Sequence, residues 1–382
     1  MDIVVVIILI LLFNTYLIKL LSSRFIHLNE NYTKVLLFIH FAITLGYIFY
    51  TIYSRSDSVS YFSKSANTDE WLSFFNTGTS FIGFLTWPFS NALSLSFYAT
   101  MLIFSYIGYL AVLVFYIIAT ENIQTQKLSN GFTTIELLLL LPNLHFWSSS
   151  IGKGSIILFG LALFSFGLSR FNRRISHLAI GAFLVYMVRP HILLAIVISV
   201  VLGLFLTSSK TIKPIFKWLI ILVSLGAFYY LSDSVLQFTD TDSLDITNSS
   251  TLSHKASELG KASSGVDLQN YNIVYKMFTF WFRPLFYDGL GALGFIASIE
   301  NFICLILFII IIKEGITQFK NWNGLFKIMV FIFLLTSFIL AQVSGNLGII
   351  LRQKSQLMPF FFIIYYKVFS DKQTKKLMQV VK

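Results

Sequence analysis

Long apolar blocks set what this chain can fold into. Most lie near the ~17–25 residues that carry an α-helix across a hydrocarbon core roughly 30 Å thick. They recur at 2–18, 35–53, 93–119, 132–147, 154–169, 177–188, 191–208, 217–232, 293–312, 327–343 and 355–367. Transmembrane β-strands would be shorter and would alternate apolar with polar residues, which these blocks do not. The expectation is an all-α, polytopic transmembrane bundle of about eleven crossings, forming a single membrane domain over 1–382. The shortest block, 177–188, ends at Arg189-Pro190, where the proline removes a backbone donor and interrupts the helix.

Composition excludes the soluble alternative. Only 12% of the residues are charged and 56% are hydrophobic, whereas a soluble domain carries roughly 25% charged residues. The net charge of +11 would suit nucleic acid if it formed one patch, but it alternates along the chain. With the N-terminus outside, Lys19, Arg24, Lys34, Arg170, Arg173, Arg174, Lys210, Lys213, Lys217, Lys313, Lys320, Lys327, Lys372, Lys375 and Lys376 fall inside. That is the positive-inside distribution of a cell-membrane protein with a cytoplasmic C-terminus. Asp57, Asp69, Glu70 and most acids from Asp233 to Asp288 fall outside. The basic excess therefore sets topology, and no nucleic-acid partner is expected.

The Met-Asp start lacks the basic n-region of a cleaved signal peptide, so the first block reads as a retained helix. Cys304 is the single cysteine and forms no intrachain disulfide. No Cys/His cluster has metal-ligand spacing and no phosphate-binding GxxxxGK[ST] loop occurs, so neither metal nor cofactor is expected. No cytoplasmic loop is long enough to fold as a catalytic domain, which places any chemistry on the extracytoplasmic side.

Three outer segments stand out. The first, about 54–92, includes an apolar stretch ended by Pro88 that reads as dipping into the membrane. The second, 233–275, is rich in Ser, Thr and Asp and reads as a solvated lid or spacer. The third, 276–292, reads as an aromatic interfacial helix interrupted by Lys276, Arg283 and Asp288. The last two make one extracytoplasmic region, about 233–292, between the eighth and ninth crossings.

Four bases occupy apolar surroundings where a charge is costly without a partner: Lys153, Arg189, Arg283 and Arg352. Arg189 is the sharpest, set between two apolar runs and followed by Pro190 and His191. A guanidinium there grips phosphate oxygens bidentately and stays charged. Arg189 and Arg283 both precede a proline, and together would hold one diphosphate. The structural alternative is an interhelical ion pair, with Glu136, Asp57 or Glu300 as the carboxylate. Lys153 and Arg352 could instead snorkel to the headgroups. Asp57, with Tyr61 one helical turn on, is the candidate general base; a capping or solvated Asp is the plain reading. His145 and His191 are further possible proton acceptors, against a packing role. Trp147, Trp281 and Tyr287 would anchor at the interface or stack on sugars.

The D-x-x-x-Y of Asp57 and Tyr61, PNLHFWSSSIGKGSI, the RPH of 189–191 and the NLGIILRQKSQLMPFF ending resemble the Wzy and EpsG-like bacterial polysaccharide polymerases. The resemblance covers most of the chain by layout but only about forty residues by motif. It implies transfer of glycan from undecaprenyl diphosphate to a lipid-linked repeat unit, powered by the sugar–diphosphate bond without a nucleotide. Asp57, Arg189 and Arg283 would then be catalytic, and Tyr61, His145, Lys153, His191 and Arg352 substrate-binding. The partners would be undecaprenyl-diphosphate-linked oligosaccharide, membrane lipids and a chain-length regulator or other assembly protein. Alternatives are a GT-C-type transferase using a lipid-phosphate sugar, and a non-enzymatic flippase or transporter of lipid-linked oligosaccharide.

Overall fold

In the computed structural model, the residues described are 1–54, 56–124, 131–207, 271–289 and 291–380, with 218, 222, 226, 265 and 266 between them. Most of the expected crossing at 217–232 and of the 233–275 segment, with Lys210, Lys213 and Lys217, lies outside the described residues. Among the described residues the chain is helical and has no strand; one isolated bridge pairs Gly265 with Asn346. It divides into two compact units, 1–189 and 190–382.

Unit 1 holds α1 (Asp2–Ser22), α2 (Glu30–Tyr53), α3 (Asp57–Ala66), α4 (Thr79–Trp87), α5 (Phe97–Asn122), α6 (Thr134–Leu138), α7 (Pro142–Ser148), α8 (Lys153–Ser169) and α9 (Phe171–Val188). Helix α5 is its centre and is buried along most of its length. Ser96 caps it through Oγ, and the Ser96 N–H donates to Asp2 Oδ2 at 2.7 Å, fixing the starts of α1 and α5 side by side. Asn29 caps α2 by accepting from the N–H groups of Asn31 and Tyr32. Glycines set the closest approaches. A Cβ at Gly181 would meet the Phe164 Cα at 2.8 Å, and one at Gly167 would meet the Leu178 backbone. Such small residues let membrane helices touch backbone to backbone. They hold α8 and α9 together as an antiparallel hairpin. At its turn, Arg174 donates from both terminal nitrogens to the two Glu121 oxygens at 2.7 Å, and its guanidinium stacks 3.8 Å from the Phe166 ring centroid.

Unit 2 holds α10 (Pro190–Phe205), α11 (Ile273–Phe282), α12 (Gly291–Ile310), α13 (Gly324–Val343), α14 (Leu347–Ser355) and α15 (Met358–Val380). A π turn, Ile311–Gly315, and a last turn, Ile316–Phe319, prolong α12. The end of α10 meets the start of α13, where Gly203 faces Ile328. There the Lys327 ammonium donates to the carbonyls of Leu206 at 2.9 Å and Lys320 at 3.1 Å, satisfying the open carbonyls of a helix end. The basic tail is part of α15, with Lys372 bonded to Glu314 at 2.7 Å.

Among the described residues, five helices are long and apolar enough to cross a membrane: α1, α2, α5, α12 with its extension to Phe319, and α13. The α7–α8 pair, bent by 111°, makes a sixth if it is one broken span. Their apolar outer faces fit a membrane bundle. Leu12 on α1 is 65% exposed and Phe38 on α2 is 74% exposed, surfaces that acyl chains would cover and that water would not tolerate in such area. Three expectations change. The block at 132–147 is two short helices, α6 and α7. Pro88 does not end its segment, because α4 runs on as a π turn, Pro88–Ala92. Likewise 276–292 is no single helix: α11 stops at Phe282, and a 3-10 turn, Phe286–Asp288, precedes α12.

Candidate functional site

One end of unit 1 gathers four of the residues expected from sequence. The antiparallel α8–α9 hairpin puts Lys153, the first residue of α8, at the same end as Arg189, which follows α9. Helix α2 ends there too, since Tyr47 packs on Phe146 and Trp147 just before the α7–α8 break. The Tyr47 hydroxyl bonds Ser56 Oγ at 3.1 Å, and Ser56 caps α3, which opens with Asp57. Tyr61 on α3 lies against the break, its Cε2 3.6 Å from where a Cβ of Gly152 would stand. The α4 segment closes the group: the Gly78 N–H donates to the Met187 carbonyl at 2.7 Å, and Phe81 meets Phe183 edge to face.

Each of these bases stands at a helix break. Lys153 follows the 111° bend and Arg189 occupies the extended link before Pro190. Both residues are half-buried, and the Nη1 atom of Arg189 is itself buried. Tyr61 is buried, whereas Asp57 is exposed.

Glu136 is not a partner for this end. It closes a capping box with Thr133 at the start of α6, and its Oε1 accepts from Asn29 at 3.2 Å and Tyr116 at 2.8 Å. Asn29 begins α2, so Glu136 belongs to the opposite end of the unit. His145 is not at the Asp57 end either. It is fully buried in the interior, facing His40.

The remaining residues fall in unit 2. Arg283 is engaged by Asp288, to whose carboxylate Nε donates at 3.2 and 3.3 Å and Nη2 donates also, while Nη1 reaches the Tyr271 hydroxyl at 3.4 Å. Burial works against the guanidinium charge, but the bonds to Asp288 and Tyr271 outweigh it and raise its pKa further above the ordinary arginine value. Arg283 is thus ion-paired, but with a carboxylate five residues away rather than with Glu136, Asp57 or Glu300, the interhelical partners expected from sequence. His191 is buried on α10 and Arg352 is half-buried on α14. Arg189 and Arg283 lie in different units.

Sequence reasoning passed over two buried groups. Lys354, two residues beyond Arg352, is 4% exposed; its ammonium donates to the Trp281 carbonyl at 3.2 Å and to Asn301 Oδ1. His40 lies unremarked within an apolar block, yet it is wholly buried. Only its place on the buried stripe of α2, with Leu36, Thr44 and Tyr47, would have signalled it. A separate cavity of about 350 Å³, lined by apolar residues including Phe308, Phe319 and Phe361, includes none of the candidate residues. Among the described residues no three His, Cys, Asp or Glu side chains converge as a metal site. Comparison with models of protein families, with curated proteins and with solved structures gave no match to this chain.

Proposed function

We propose that this chain is a polytopic membrane protein of roughly eleven crossings, N-terminus outside and C-terminus cytoplasmic. In this reading it transfers glycan from undecaprenyl diphosphate to a lipid-linked repeat unit at the extracytoplasmic face. The observation that supports this is the end of unit 1, where Asp57, Tyr61, Lys153 and Arg189 lie on the same side of the unit, Lys153 beside the bent α7–α8 pair.

An acceptor hydroxyl attacks the anomeric carbon as the bond to the diphosphate oxygen breaks. Asp57 takes the hydroxyl proton, and the lipid diphosphate leaves as an anion. Arg189 and Lys153 neutralise that developing charge at a site bordered by apolar helices, where such stabilisation is strongest. Substrate arriving over α3 supplies the desolvation that Asp57 lacks alone. Arg283 is removed from the phosphate-binding set because its fork is taken by Asp288.

The test is polymer formation beside protein abundance in cells carrying Arg189→Lys, Arg189→Ala or Asp57→Asn. The reading requires each to lose polymer at unchanged protein level, with Lys a poor substitute because it lacks the bidentate fork. Full polymer with Arg189→Lys and Asp57→Asn would exclude it. A carrier of lipid-linked sugar is the second reading, favoured by the buried polar string of His40, Thr44 and Tyr47 on α2.

A further inference from the structure

The interior of unit 1 contains two histidines whose hydrogen bonds cannot be satisfied by neutral rings. His40 on α2 and His145 on α7 are both wholly buried, with Nδ1 facing Nδ1 at 2.8 Å and ring planes at 80°. The far nitrogen of each ring meets a backbone carbonyl: His40 Nε2 meets Ser105 O at 2.9 Å, and His145 Nε2 meets Leu139 O at 2.8 Å. A carbonyl only accepts, so both Nε2 atoms carry hydrogen. A neutral imidazole has one N–H. Two neutral rings in this arrangement would therefore point two lone pairs at each other across 2.8 Å. One additional proton converts that repulsion into an N–H···N hydrogen bond.

We propose that His40 and His145 form a buried proton-binding site, holding a single shared proton between their Nδ1 atoms as an imidazole–imidazolium pair of charge +1. Burying a charge is costly unless polar groups surround it. Here the two carbonyls lie at the ends of the pair, and a hydroxyl cluster adjoins it. Thr44 Oγ1 is 2.7 Å from Ser105 Oγ and donates to Ser149 Oγ at 3.0 Å, while Ser149 Oγ donates to the His145 carbonyl at 2.6 Å.

The titratable surroundings leave the proton to this pair. From α5, the Tyr109 ring packs 6.3 Å from His40 and directs its hydroxyl to the Thr33 carbonyl, with Tyr106 stacked on it. On α6, Glu136 accepts from Asn29, Tyr116 and the Thr133 N–H. The charged residues of α2, α5 and α8 sit at helix ends: Glu30 and Lys34, Glu121, and Lys153. His40, Thr44 and Tyr47 fall at i, i+4 and i+7 on one buried face of α2, and the Tyr47 hydroxyl bonds Ser56 Oγ, just before α3.

The test is nitrogen NMR of the full-length protein, ¹⁵N-labelled at its six histidines, in lipid nanodiscs at neutral pH. The expected spectrum has one histidine pair with three protons on four ring nitrogens and a coupling between the two Nδ1 atoms through the shared hydrogen. His145→Gln should remove that coupling. If the variant does not accumulate, the wild-type proton count alone decides. Two protons on the four nitrogens, meaning two neutral rings, would overturn the proposal, as would four protons on two separate imidazolium rings. Neither result depends on whether the protein transfers glycan.

Discussion

Arg283 donates through Nε to both carboxylate oxygens of Asp288, at 3.2 and 3.3 Å, and Asp288 in turn accepts from the Leu285 N–H at 2.7 Å. The pair is closed into the turn between α11 and α12, with the Asp288 side chain 4% exposed. Removing one partner of a buried ion pair leaves an uncompensated charge, which costs about 3–5 kcal/mol. Asp288→Ala should therefore lower the thermal stability of the purified protein strongly, and Arg283→Met/Asp288→Leu should recover much of the loss. Equal losses in the single and double variants would show that Arg283 is not held by Asp288.

The α8–α9 hairpin makes a sharper stability prediction. A Cβ at Gly181 would meet the Gly160 carbonyl at 2.6 Å and the Phe164 Cα at 2.8 Å, both backbone atoms that cannot rotate away. Gly181→Ala should force the helices apart and cost about 1–3 kcal/mol. Gly46, on α2, has open space around it. Gly46→Ala should be neutral or stabilising, by up to about 1 kcal/mol of helix propensity. Unfolding of both variants in the same detergent gives the comparison.

What could be read from the sequence followed directly from physical demands on short stretches. The helical class and the starts of most long helices came from block length, and Lys153, Arg189, Asp57 and Tyr61 were visible as polar residues set among apolar ones. What could not be read depends on contacts distant in sequence. Glu136 looked available for Arg189, yet its partners are Asn29, 107 residues away, and Tyr116. His40 and His145 are 105 residues apart, and no local spacing announces that they meet. The ion pair of Arg283 was missed for the opposite reason, because Asp288, five residues on, read only as part of a loop.

Topology is open to direct measurement at exposed positions. Ser60 on α3 and Ser23 after α1 are both exposed and lie at opposite ends of unit 1, since α2 runs from one to the other. Ser370, which would otherwise report on the basic tail, is buried and a poor site for labelling. In a Cys304→Ala background, Ser60→Cys should react with an impermeant maleimide in intact cells, and Ser23→Cys only after lysis. The reverse result would move Asp57, Lys153 and Arg189 to the cytoplasmic side and end the glycan-transfer reading.

The histidine pair predicts a specific pattern of stability changes. His40→Leu leaves the His145 Nδ1 facing a methyl group in the interior, an unsatisfied buried polar atom costing about 1–3 kcal/mol. His145→Leu does the same to His40. The double variant removes both rings, the shared proton and its charge together, and puts side chains of similar bulk in their place. The Ser105 carbonyl lies within the continuous helix α5, so losing the His40 bond still leaves it the N–H four residues on. The double variant should accordingly be more stable than the sum of the two single losses requires, with a coupling of about 0.5–3 kcal/mol between the sites. Denaturation of the four proteins in one detergent measures it. Strict additivity would mean that the rings contribute independently, and the two Nδ1 atoms would then share nothing.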